Sequence, residues 1–313
     1  MDISLFDTHA DTPYEAHKRH MSLASNSLHI SLEKASKYKK YCQCMAIWSD
    51  KRLSDDEAFL RFSEIADYFR KCVQESDSTE ICRTYSEVER AVESGKRAFI
   101  LTVEDARLLG GDVRRLDTLS DYGIRVLTFQ WEGETCIGGG FDTDVGLSVF
   151  GAQTARECAR RGIIPDISHA NERTARNIIE IMAEYSKPVI ATHSNSYAVC
   201  PHKRNMTDSL FDTLISSGGI VGISLAPQHL TTDSVCSSEH VLRHIEHYAE
   251  RGGIEHICLG CDLDGIETTP SDIRHISEVE VIAECMLRHG YLESQIHALF
   301  YENARRFFAA LLQ

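Results

Sequence analysis

The chain has 313 residues, 42% hydrophobic and 26% charged, which is enough apolar material for a sizeable folded core and gives no indication of disorder. Its formal net charge of -14 excludes nucleic acid as a natural partner, because binding phosphates needs a basic stripe that displaces counterions. The amino terminus, MDISLFDTHAD, has no basic leader region, and no stretch approaches the roughly 20 apolar residues of a membrane span. A soluble, cytoplasmic protein with no membrane partner is therefore expected.

Short β-rich apolar runs recur along the chain, each ending in polar or glycine residues: ISLFDTHAD from Ile3, YCQCMAIW from Tyr41, AFILTVE from Ala98 and IRVLTFQW from Ile124. Four more follow: GIIPDISH from Gly162, KPVIATHS from Lys187, GGIVGISL from Gly218 and HICLGCDLDG from His256. Between them lie helix-period segments such as SDDEAFLRFSEIADYFRKCV, LSVFGAQTARECARR, ERTARNIIEIMAEY and SSEHVLRHIEHYAERGG. The span from Ser49 to Arg97 has room for two helices, and Glu132 to Leu147 reads as a glycine-rich loop. Apolar strands alternating with helices predict a parallel sheet covered by helices, and eight such units favour closure into a (β/α)8 barrel over an open sheet. With no linker or low-complexity segment in sight, residues 1–313 are expected to form one domain.

Eleven cysteines are spread over a chain that has a core of its own, so no disulfide framework is required. Cys258 and Cys261 form a lone CxxC inside a strand-like run and are read as buried thiols. His240, His244 and His247 share one face of a predicted helix without converging carboxylates and are read as surface or packing residues. The Gly138 to Gly140 run lacks the strand-to-helix setting of a phosphate loop and is expected to be a flexible rim.

Residues suited to metal ligation collect at the carboxyl ends of the predicted strands: His9 and Asp11 after the first, Glu104 at the third, His169 at the fifth, His193 at the sixth and Asp262 at the eighth. In a closed barrel those ends meet on one face. A single histidine at a strand end is more often a hydrogen-bonded structural residue. Three imidazoles and three carboxylates at equivalent positions are a ligand set for zinc or a similar ion. His9 and Asp11, two apart on a strand, point to one side and can grip one ion, while His169 and His193 hold a second. Glu104 offers two oxygens and can bridge them.

The motifs DTHAD from Asp7, TVED from Thr102, LTFQWEGE from Leu127, DISHAN from Asp166, ATHSNS from Ala191, HKRNMTD from His202, GCDLDG from Gly260 and YENARRFF from Tyr301 give the chain a strong resemblance to the membrane (renal) dipeptidase family, the M19 peptidases of the amidohydrolase superfamily. That resemblance implies an amidohydrolase-type TIM barrel whose two zinc-type ions are held by His9, Asp11 and Glu104, and by Glu104, His169 and His193. It implies a metal-dependent dipeptidase acting through a hydroxide held between the ions, with substrates that can carry a D-residue at the carboxyl end. Asp262 would be the acid/base residue, and Arg204, with Trp131 and Asn205, would bind substrate, although on the residues alone Arg204 reads as a solvated surface charge. A homodimer is also implied. The chain departs from the family at Trp131, where mammalian members have a histidine, and at Asp105, where a glycine is usual; an extra carboxylate there is expected to alter metal affinity or narrow the pocket. The alternatives are a hydrolase of N-acyl-D-amino acids or related amides and esters on the same site, or a binding protein whose catalysis is impaired.

Overall fold

The computed structural model describes residues 2–313. Nine strands are present among them: β1 (Leu5–Ala10), β2 (Tyr41–Trp48), β3 (Thr79–Ile81), β4 (Arg97–Glu104), β5 (Ile124–Thr128), β6 (Ile164–Asp166), β7 (Ile190–Ala191), β8 (Ile220–Ile223) and β9 (Ile257–Leu259). All pair in parallel, in the order β2-β1-β9-β8-β7-β6-β5-β4-β3, and β2 also pairs with β4. That extra pairing closes eight strands into the expected (β/α)8 barrel. The ninth, β3, lies outside the ring and extends the start of β4 through Thr79 opposite Arg97. Sequence patterning misses it because three residues are too few to show a period of two.

The helices form where capping and amphipathic spacing coincide. Between β2 and β4, Asp55–Gln74 starts at a Ser54/Glu57 capping box and Tyr85–Glu93 at a Thr84/Glu87 one, so the two predicted helices are both present. Val149–Arg161, Glu172–Ala183 and Ser238–Tyr248 fall on the other helix-period segments. Their apolar faces bury against the outside of the barrel. The inside is a separate apolar layer that includes Phe6, Cys44, Ile100, Val126, Ile164, Ile220 and Cys258, plugged at the amino-terminal end by Tyr301, Phe307 and Phe308. Phe6 stacks on Phe308 with ring centroids 5.0 Å apart.

Register then delivers the polar ends. Trp48 lies opposite Glu104, Glu104 opposite Thr128 and Thr128 opposite Asp166, so the carboxyl ends of β2, β4, β5 and β6 stand at one level. Just beneath that level the barrel is too narrow for side chains on every strand. A Cβ at Gly222 would sit 2.0 Å from the Thr192 carbonyl oxygen and one at Gly260 1.7 Å from it, so only glycine lets the end of β7 press against β1, β8 and β9. The Thr8 hydroxyl fastens this contact by donating to the Thr192 carbonyl at 2.6 Å.

Candidate metal centre

Alternation along β1 turns Phe6 and Thr8 inward and would turn His9 out. The pairing of β1 with β2 shifts register between Asp7 and Ala10, and this irregularity brings His9 into the mouth as well. Asp7 holds it there: one carboxylate oxygen accepts the backbone N–H of His9 at 3.1 Å and that of Cys261 at 2.9 Å, tying the ends of β1 and β9 together. His169 and Asp262 reach the mouth in the left-handed backbone region, at φ 66° and 60°, which non-glycine residues rarely adopt and which clusters at functional sites.

Six of the predicted residues converge. The His9 Nε2 atom lies 3.4 Å from a carboxylate oxygen of Asp11, 3.4 Å from Glu104 Oε2 and 3.9 Å from Asp262. The other oxygen of Glu104 lies 2.9 Å from His169 Nε2 and 3.6 Å from His193 Nε2. Glu104 therefore divides its two oxygens between the two sides of the cluster. His9 and His193 lie with ring centroids 3.8 Å apart, the proximity that the glycine contact below them permits.

The tautomers follow from the partners. His169 Nδ1 lies 3.0 Å from the Trp131 carbonyl oxygen, which only accepts, so Nδ1 carries the proton. His193 Nδ1 lies 2.8 Å from the Thr192 hydroxyl, whose own proton is donated to Asp166 at 2.6 Å, so that nitrogen also donates. Both Nε2 lone pairs are then left facing each other at 2.8 Å and facing Glu104. Two lone pairs at that distance repel unless a cation lies between them and the carboxylate. His9 Nε2 and an oxygen of Asp11 are likewise buried with no hydrogen-bond partner among the described residues. This donor chemistry fits divalent metal ions, and hydrogen bonds from the far side of each imidazole are the usual support for such ligands.

Electrostatics agrees. Burial, then the charge of Arg204, drives His169 down to about 4, and burial with the charge of His9 drives His193 down as well, so both are neutral donors. Burial works against a charge on His9, but Glu104 and Asp11 overcome it and raise its pKa. Despite its own burial, Glu104 is held well below the usual carboxylate range by His9 and His169. Burial, opposed by His9 and reinforced by Asp11 and Glu104, pushes Asp262 up to about 8.

Over the cluster opens a cavity of about 690 Å³ whose walls include Asp262, Arg204, Trp131, Trp48 and Tyr14. Arg204 is buried rather than solvated as its residue type alone predicts. Its guanidinium donates to the His193 carbonyl at 3.0 Å and to the Ser194 hydroxyl at 3.3 Å, its Nε is buried with no acceptor, and it makes no ion pair among the described residues. Asn205 does not line this cavity: its amide donates to the carbonyls of Cys200 at 2.9 Å and His229 at 2.8 Å, bracing the loop that carries Arg204. Asp105 also turns away, accepting the backbone N–H of Arg107 at 3.0 Å as the cap of a short helix, so it neither joins the ligands nor narrows this cavity. The Gly138 to Gly140 run is buried, and Gly139 accepts a hydrogen bond from Thr174 at 2.9 Å, so it is a packed segment and not a loose rim. His244, in the helix-face cluster, accepts the Ser196 N–H at 3.0 Å and donates to the Leu230 carbonyl at 3.0 Å, a structural role. Every cysteine is free, and Cys258 and Cys261 are buried.

The family profile for membrane dipeptidases, peptidase family M19, matches residues 1–312, nearly the whole chain. The chain belongs to the membrane dipeptidase family. Dipeptidase tcpJ of Claviceps purpurea (strain 20.1) is 28% identical over 236 residues, which make up 74% of this chain and 55% of that protein, so this M19 chain spans about half the length of that curated relative. Among solved structures, the metallopeptidase from Rhodobacter sphaeroides liganded with a phosphinate mimic of the dipeptide L-Ala-D-Ala matches with a TM-score of 0.91 at 25% identity, over 100% of both chains. Dipeptidase AC, a metallopeptidase of family M19, matches with a TM-score of 0.92 at 26% identity, over 100% of this chain and 99% of the other. Among the described residues no helix is long and apolar enough to cross a membrane.

Two parts of this centre are not marked in the sequence by metal-donor chemistry. Trp48 ends β2 and so obeys the same strand-end rule as the candidate ligands, but an indole is no metal donor and gives no such signal. Asp166 and Thr192 carry no separate signal, since a carboxylate and a hydroxyl behind a histidine are recognised only once the tertiary contact exists.

Proposed function

We propose that this M19 chain hydrolyses the peptide bond of dipeptides, with two zinc ions held by His9, Asp11 and Glu104 on one side and by Glu104, His169 and His193 on the other. The observation that carries the reading is Glu104, whose two oxygens face two separate imidazole groups while the His169 and His193 lone pairs point at one of them. When bound, the ions supply Lewis acidity toward the scissile carbonyl and ionise water at neutral pH.

The protein's own groups do the rest. Asp262, 3.9 Å from His9 at the cavity floor, takes the proton of the attacking water and returns it to the departing amine. Arg204 is a buried cation with no anion of its own, and its planar fork suits the substrate's terminal carboxylate, which favours dipeptides over longer chains. The phosphinate dipeptide mimic bound by the Rhodobacter sphaeroides structure supports the same substrate class, including a D-residue at the carboxyl end.

Zinc-loaded protein is expected to hydrolyse L-Xaa-D-Ala and L-Xaa-L-Ala dipeptides, to lose that activity in chelator, and to bind two ions per chain by elemental analysis. Asp262→Asn is expected to lower kcat by about 10²-fold or more with both ions retained. An Asn variant at full activity, or a loaded protein inert toward every dipeptide, would overturn the assignment.

A further inference from the structure

Tyr14, Trp48 and Trp131 come from three different parts of the chain, yet they join edge to face in one wall of the cavity. Tyr14 meets Trp48 with ring centroids 4.9 Å apart at 87°, Trp48 meets Trp131 at 5.2 Å and 62°, and Trp131 reaches His169 at 6.2 Å. Their position relative to Arg204 follows from strand order. Arg204 lies on the loop after β7, and in the closed ring β7 is four strands from β2 by either route, through β6, β5 and β4 or through β8, β9 and β1. Trp48, at the end of β2, therefore faces Arg204 across the mouth, with the metal residues between them.

From this juxtaposition we propose that the three rings form the subsite for the side chain of the substrate's amino-terminal residue, and that the enzyme selects a large neutral side chain there, aromatic above all. The inference rests on the dipeptidase reading, because Arg204 must hold the carboxyl end for the amino-terminal residue to fall against Trp48. The character of the guest is set by the apolar faces and edges of the rings. Lys18 Nζ lies 5.3 Å from the centre of the Tyr14 ring and Lys51 Nζ 5.8 Å from that of Trp131. Lys18 lines the cavity and pairs with Glu15, and Lys51 does not line it, so neither lysine leaves a free charge at the wall. A charged side chain pressed against these rings would lose hydration, a cost that a neutral ring does not carry. A ring packed edge to face on Trp48 gains from burial instead, worth about tenfold to a hundredfold in kcat/KM over glycine.

The test is the ratio of kcat/KM for Phe-Ala to that for Gly-Ala, measured in the same zinc-loaded preparation so that the fraction of active protein cancels. A ratio of about ten or more in the parent chain, with Lys-Ala and Glu-Ala below Phe-Ala, and a fall toward one in Trp48→Ala, is the expected result; if Trp48→Ala fails to fold, Trp48→Leu serves in its place. A parent ratio near one, a preference for Lys-Ala, or a high ratio that survives loss of the Trp48 ring overturns the subsite. Should no dipeptide be cleaved, the dipeptidase reading fails by itself, and the subsite is judged by calorimetric binding of Phe-Ala against Gly-Ala to the loaded protein, where equal affinity would end it.

Discussion

The two sides of the candidate metal centre hold their imidazoles by different means. On the β6 and β7 side, His169 and His193 each have Nδ1 pinned, by the Trp131 carbonyl at 3.0 Å and the Thr192 hydroxyl at 2.8 Å. Burial keeps both neutral. On the β1 side, His9 Nδ1 meets the same Thr192 hydroxyl at a loose 3.4 Å, while Nε2 faces three carboxylates. The first side is prepared by hydrogen bonds and the second by negative charge. A cation bound here would be drawn by Asp11 and Glu104 and given its geometry by rings that already point the right way.

Glu104 belongs to both sides, so its loss should be the most damaging. Glu104→Gln keeps the shape but removes the shared charge; elemental analysis should show fewer than two zinc ions per chain, and turnover should drop by about 10³-fold or more, because several kcal/mol of Lewis-acid stabilisation depend on the ions. Retention of both ions with normal turnover would mean the carboxylate does not bridge.

The asymmetry itself is tested one step behind the ligands. Asp166 accepts the Thr192 and Thr128 hydroxyls at 2.6 Å each and the backbone N–H groups of Ser168 and Thr192 at 2.9 Å each. Asp166→Asn, or the milder Thr192→Val, should weaken one of the two proposed zinc ions by about 10-fold to 100-fold in chelator competition and leave the other nearly unaffected. Asp7→Asn acts on the backbone of β1 and β9 and should spare the ion at His169 and His193. Equal weakening of both ions by all three variants would show that the two sides are one unit.

The smallest effect concerns a histidine outside the centre. Burial holds His244 down to about 4, so the folded chain resists its protonation while the unfolded chain, near 6.5, accepts it. Its contribution to stability is complete above pH 6.5 and is lost as pH falls toward 4, on the order of 2 kcal/mol. Urea unfolding of the metal-free protein should show that loss, and His244→Gln should flatten part of it; an unchanged slope would place the titration elsewhere.

Much of this arrangement is legible in the residues. The eight apolar runs each fall on a barrel strand, and His9, Asp11, Glu104, His169, His193 and Asp262 can be gathered from strand ends alone, because closure of a parallel barrel brings those ends to one face. What stayed hidden depends on contacts between distant segments. Arg204 looks like surface charge until the loop after β7 folds it beneath Ser194, and Asp105 looks like a threat to the ligands until it caps its own helix.

The amino-acid sequence by itself determined the barrel, the candidate donor residues and the family, since alternating apolar periodicity and the chemistry of the motifs are local properties that survive without a fold. Only the tertiary structure decided the register shift that turns His9 inward, the glycine contact that brings it to His193, the tautomers imposed by Trp131 and Thr192, and the meeting of Tyr14, Trp48 and Trp131. These are relations between groups far apart along the chain. Their energies arise from distances of a few ångströms that no single segment encodes.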